Sequence, residues 1–113
     1  MLWLCLRIVS CCVVRLCNAQ VEENLKAAGV HLLKDDQALV DIPEVGQVQI
    51  IGTEFYFRNP AEKLRATLAQ YPRVSGALRL LLLHHPSHFV HIPDGDADLV
   101  LSGHHVCCAS VMM

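Results

Sequence analysis

Six of the seven histidines fall between residues 84 and 105. The apolar run Leu-Arg-Leu-Leu-Leu-Leu, residues 78–83, ends in His84, His85 and Pro86. A second run, Asp-Leu-Val-Leu-Ser-Gly over residues 98–103, ends in His104 and His105. Neutral imidazole is the commonest side-chain ligand for a transition metal. Two apolar strands that each deliver a histidine at the carboxyl end would supply half of a metal site. All nine Lys and Arg residues lie at or before Arg79. No cation in the histidine-rich segment could therefore clamp a phosphate, and metal ions would have to carry that charge. The same lack of clustered basic residues excludes a nucleic-acid surface.

The elements that position these groups follow from composition and periodicity. A chain of 113 residues, 53% hydrophobic and 18% charged with a net charge of −2, reads as one folded domain. Such a chain hides roughly two-thirds of its surface, enough for one core. A short helix is expected over 20–28, with Asn18 as cap, Glu22 and Glu23 in the first turn, and Gly29 at the left-handed C′ position. Val30–Leu33 and Ala38–Ile42 flank Lys34-Asp35-Asp36-Gln37 and suggest a hairpin. Val48–Gly52 reads as a further strand, followed by Phe55 and Phe57 alternating with Tyr56. Asn59-Pro60-Ala61-Glu62 starts a second helix, in which Asn caps and Glu reaches back. Leu64 and Leu68 share a face, and Pro72 ends the helix.

Arg79–Leu83 shows no alternation, so cover on both faces is expected. Asp98–Leu101 is the second covered strand. About fourteen residues separate the two, enough for a short parallel crossover. Within it, 87–92 form one helical turn or a loop. In open α/β sheets, sites lie outside the carboxyl ends of such strands. Asp94-Gly95-Asp96-Ala97-Asp98 fails the spacing of a calcium loop and reads as a solvated turn.

Leu80–Pro86 taken with Asp98–His104 resembles the calcineurin-like metallophosphoesterases, in the subgroup of small bacterial-type enzymes related to membrane-anchored phosphoesterases. That family shows an apolar strand ending in His-x-Pro, then a strand reading roughly Asp-Leu-Val-Leu-Ser-Gly-His-x-His-Gly-Gly. The likeness extends upstream through Ala28-Gly29-Val30 and Val45–Gly52, covering about residues 20–104. It implies an α/β fold: a mixed sheet with short helices, part of an α/β/β/α metallophosphoesterase-like sandwich. It implies hydrolysis of a phosphate ester at two divalent metal ions such as Mn, Fe or Zn, held ~3.5–4 Å apart. By position, His84 and His104 match ligands to one metal. Gly103 matches the turn that aims His104 inward. His105, one position early, is the third candidate. His85, His88 and His91 have no family counterpart and read as surface or loop histidines.

The departures are specific. Val106 stands where the second histidine of Gly-His-x-His belongs, and Cys107-Cys108 replace Gly-Gly. The family's Asp-x-His, Gly-Asp and Gly-Asn-His-Asp segments do not occur. The division expected is an apolar, Cys-rich segment 1–19, a partial domain 20–106 and a divergent tail 107–113. Truncation, altered splicing or a shifted frame would each give this pattern. Two other readings stand beside the phosphoesterase: a non-catalytic fragment, or a small Cys/His metal-binding or membrane-associated protein.

The six cysteines, Cys5, Cys11, Cys12, Cys17, Cys107 and Cys108, sit only near the two ends. Without C-x-x-C, they read as reduced thiols in a cytoplasmic chain, with secretion the alternative. Arg7 and Arg15 leave only Ile8–Val14 uncharged, far short of the ~20 residues a membrane span needs. Arg79–Leu83 and Asp98–Leu101 expect sheet partners from a missing half, and residues 1–19 are the candidate supplier. Left unpaired, these strands predict poor solubility and self-association.

Overall fold

The computed structural model describes residues 8–10, 19–54, 56–102 and 110–112. Its elements are β1 (Ile8–Ser10), α1 (Ala19–Ala27), β2 (His31–Leu33), β3 (Asp36–Ile42), β4 (Gly46–Gly52), α2 (Pro60–Gln70), β5 (Leu78–Leu83), a 3₁₀ helix (Pro86–His91), β6 (Leu99–Ser102) and β7 (Ser110–Met112). The sheet order is β3-β4-β5-β6-β7, with β1-β2 forming a separate parallel pair. β4, β5 and β6 run parallel, and β3 and β7 flank them antiparallel. The fold is α/β with a mixed sheet and short helices, as expected. No helix among the described residues is long and apolar enough to cross a membrane.

Helix α1 ends as its sequence requires. Gly29 takes φ +79°, its N–H bonds Lys26 O at 3.0 Å, and Val30 N–H bonds Leu25 O at 2.9 Å. That pair of bonds is a Schellman motif. The start of α2 departs from expectation. Asn59 occupies the cap position in a left-handed conformation (φ 51°, ψ 51°) and makes no side-chain cap bond. A capping side chain normally works from extended backbone, which aims it at the second and third N–H groups. Leu64 and Leu68 are buried as predicted, and α2 stops at Gln70 before Pro72.

The hairpin is not where local pattern put it. β2 pairs with β1 in parallel, and the antiparallel partner of β3 is β4. Ile42-Pro43-Glu44-Val45 makes the turn, with Val45 N–H bonded to Ile42 O at 3.1 Å and Glu44 at φ 69°. Pro at the second position and positive φ at the third are the marks of a type II turn. Burial decides the placement of β2. Leu33 is fully buried and packs with Ala38, Val48 and Ile50, so β2 lies over the sheet rather than beside β3.

The sheet buries both faces, unequally. Ile51, Leu81, Leu83 and Val100 pack with Leu64 and Leu68 of α2 and with Phe89 and Ile92 from the crossover. On the other face Leu80 and Leu82 are only partly buried. β5 thus alternates after all, because β2 covers its second face incompletely. β5 and β6 are interior strands, paired on both sides. Their expected unpaired edges are not found, since β4 and β7 flank them. β1, the described strand of 1–19, pairs with β2 and not with either of them.

One buried polar group ties this arrangement together. Arg79 is 1% exposed on the face shared with α2. Its guanidinium donates to Tyr71 O at 2.6 Å, Gln49 Oε1 at 3.1 Å, Asp96 Oδ2 at 3.3 Å and Leu68 O at 3.4 Å. Gln49, also fully buried, accepts from Val74 N–H at 3.2 Å and donates to Gln37 Oε1 and Pro72 O, both at 2.9 Å. That exhausts the two donors and two acceptor sites of the Gln49 amide. The Asp94–Asp98 segment is therefore no free turn. Asp96 faces Arg79, while Asp98 bonds Arg73 and the Arg79 backbone N–H, both at 2.7 Å. These donors hold the Asp98 carboxyl below the usual carboxylate range, the Arg73 side chain contributing most.

Two stability changes follow. A Cβ added at Gly52 would lie 2.5 Å from Leu33 Cβ and 3.0 Å from Leu33 O, with backbone in the way. Gly52→Ala should cost about 1–3 kcal/mol by forcing β2 off the sheet, read as a lower urea midpoint at unchanged m-value. Arg79→Met strands Gln49, Asp96 and two carbonyls. It should cost about 3 kcal/mol, the low end for a broken buried pair because Asp96 is partly solvated.

Candidate functional site

The parallel strands β4, β5 and β6 end at one edge, where α/β sheets form their sites. Thr53 follows β4 and is fully buried; its N–H and Oγ1 both bond Leu82 O, at 3.1 and 3.2 Å. His84 follows β5 and is 2% exposed. Ser102 ends β6 level with Leu83 and is buried, and its Oγ has no hydrogen-bond partner among the described residues. Sequence reasoning found His84 but passed over Thr53 and Ser102. Ser102 lay within the quoted motif, and only its burial marks it out.

The chain leaves β5 sharply because Pro86 cannot extend a ladder. His85 stays extended at φ −121°, ψ 132° and caps the 3₁₀ helix, its Nδ1 accepting the Ser87 N–H at 3.1 Å. A 3₁₀ helix repeats every three residues. His85, His88 and His91 therefore follow one another along one side, with ring centroids 6.2 Å and then 6.3 Å apart. His88 is 4% exposed, which corrects its reading as a surface or loop histidine. Its ring stacks on Tyr56 at 6.0 Å and 18°.

Tyr56 seals the inner side of this row. Its hydroxyl bonds the Asp35 carboxylate and lies 3.0 Å from Thr67 Oγ1, which in turn donates to Lys63 O at 3.1 Å. Burial, and then the Asp35 carboxylate, push the Tyr56 hydroxyl well above the usual tyrosine range. Burial likewise lowers the His88 pKa, with smaller contributions from His85 and His91. Burial therefore favours the uncharged form of the His88 ring. A cavity of about 290 Å³ lies beyond, lined by Phe89, Ile92, Pro93, Ala97 and Val100 among others, with no histidine in its described wall.

Gly103, His104 and His105 lie outside the described residues, as do Val106 and all six cysteines. Of the three candidate metal ligands only His84 has a described position. Among the described residues no group of three His, Cys, Asp or Glu side chains could hold a metal ion. These residues by themselves do not fit a two-metal centre. The chain matches no protein-family model, no curated protein and no solved structure.

The buried imidazole carries a pH signature. An unfolded His88 takes up a proton near pH ~6.5, whereas the folded ring takes it up only at lower pH. As pH falls through about 6.5 the unfolded chain binds more protons, so stability falls until the folded ring also titrates. Urea midpoints between about pH 8 and 5 should show this loss. His88→Gln should flatten that part of the curve, and an unchanged slope would contradict the assignment to His88.

Proposed function

We propose that this chain is a partial phosphoesterase domain of the calcineurin-like metal-dependent class, with little or no turnover by itself. One observation carries the reading: His84 is buried directly beyond the carboxyl end of the central parallel strand. It stands there beside β6, whose sequence runs on into Gly103-His104. That is the strand-end setting which the His-x-Pro and Leu-Ser-Gly-His resemblance requires.

The layering adds support. α2 covers one face of the large sheet, and Leu33 of β2 packs on the opposite face. β2 belongs to a second, two-stranded sheet, and α1 directly precedes it. A cut-down α/β/β/α sandwich would leave this order of layers. The substrate class is a phosphate ester, with His84, His104 and His105 as the proposed metal-facing groups.

The ligand count argues for low activity. A catalytic zinc site uses three protein ligands, and a structural one four. The resemblance offers His84 and His104, with His105 displaced by one position, and among the described residues no group of three donors is found. A non-catalytic fragment is the second reading, favoured by this same shortage of donors.

The purified chain, assayed with manganese and a chromogenic phosphodiester, should turn over at background. Calorimetric titration with Mn²⁺ or Zn²⁺ should show weak binding that His84→Ala lowers further. Turnover abolished by His84→Ala would show that the chain is a complete enzyme. Metal uptake indifferent to His84→Ala, or a tight stoichiometric ion lost in Cys107→Ser, would remove the phosphoesterase reading in favour of a Cys/His metal protein.

A further inference from the structure

The outer edge of β3 closes one end of the five-stranded sheet, and no described strand pairs with it. Edge strands are normally blunted by shortness, by charged side chains, Lys above all, by Pro, or by a bulge; the charges on β3 are Asp36 and Asp41, near its two ends. β3 has seven residues, contains neither Lys nor Pro, and keeps unbroken register with β4 from Asp36↔Gly52 to Ile42↔Gly46. Leu39 at its centre is 49% exposed. We propose that this edge docks a second copy of the chain, the two β3 strands pairing antiparallel about a two-fold axis at Leu39. The inference is independent of the histidines and of the phosphoesterase reading.

Side-chain complementarity selects both the partner and the register. Centred on Leu39, the pairing sets Leu39 against Leu39, Ala38 against Val40, Gln37 against Asp41 and Asp36 against Ile42. No like charges face each other, and all seven residues pair. Sliding by one step that keeps the same faces aligned shortens the ladder. The residues it would add, Asp35 in one direction and Pro43-Glu44 in the other, cannot extend it, because Asp35 and Glu44 take positive φ and lie outside the extended strand.

The two carboxylates on the strand fit this register. Asp36 is turned back onto its own chain, accepting from Gln37 N–H at 2.8 Å and from the Tyr71 hydroxyl at 3.3 Å. Asp41 is exposed and remains to meet Gln37 of the other copy. Gln37 uses Oε1 to accept from Gln49, which leaves its Nε2 to donate across the axis. The axis repeats this bond, so two Gln–Asp pairs flank the stacked leucines. A seven-residue strand pair is a small interface. The dimer is therefore reversible, and its share rises with concentration.

Sedimentation equilibrium on the full chain across a concentration series tests this. The expected result is a monomer–dimer equilibrium. Leu39→Lys sets two like charges on the axis and should leave monomer only. Gln37→Glu keeps the acceptor for Gln49 but opposes a carboxylate to Asp41 twice, and should weaken the dimer about fivefold or more. Adding Asp41→Lys to Gln37→Glu should restore it. Val90→Lys, on an exposed position of the crossover, should change nothing. Far-UV circular dichroism checks that each variant folds. If Leu39→Lys does not fold, the loss and rescue at positions 37 and 41 decide the matter. A parent chain that is monomeric at every soluble concentration overturns the proposal. So does a dimer that survives Leu39→Lys, dissolves in Val90→Lys, or shows no rescue by the double variant.

Discussion

A buried guanidinium at the start of β5 organises this fold. Arg79 reaches two carbonyls at the end of α2, the Gln49 amide on β4 and the Asp96 carboxylate before β6. Removing a charge from water costs several kcal/mol, and the cost is met only where hydrogen bonds are nearly complete. Both of its terminal nitrogens donate twice; only Nε, also buried, lacks a partner among the described residues. This demand for partners fixes the helix, the loop after it, two neighbouring strands and the entry to β6 relative to one another. A surface ion pair such as Lys34–Glu22 makes no such demand, because water can replace either partner.

The staple and the histidines lie at opposite ends of one strand. His84 comes five residues after Arg79, about 16 Å along an extended chain. The amino-terminal half of β5 therefore carries polar closure, while the carboxyl end leads into buried His84. This separation suits a parallel sheet, where strand ends on one edge can vary while the opposite edge holds the layers. Between the two ends, Leu81 and Leu83 face the same core as Arg79 and contribute only apolar contact.

The crossover from β5 to β6 shows how packing alters the meaning of a residue type. Three histidines spaced by three occupy three different environments along a 3₁₀ helix. One caps the helix through Nδ1, one is buried against Tyr56, and one lies at the last position. Composition treats them alike. Burial shifts His88 towards its uncharged form.

Local chemistry in the sequence was enough for most elements. Gly29 ended α1, Pro60 and Pro72 bounded α2, and two apolar runs predicted the parallel pair β5 and β6. The resemblance placed His84 at a strand end for the same reason, since a run of leucines broken by His-Pro has to stop there. Partner choice was not legible. Lys34–Gln37 looks like a hairpin turn, yet β2 pairs with distant β1 and β3 with β4, because Leu33 gains more by covering the sheet than by extending it. Nor was the polar network, for Gln49 and Asp96 lie 30 and 17 residues from Arg79 and show no mutual pattern. Spacing and propensity act between near neighbours and determine elements and their ends. Which faces meet, and which polar groups lose water together, is decided only when distant segments compete for the same buried space.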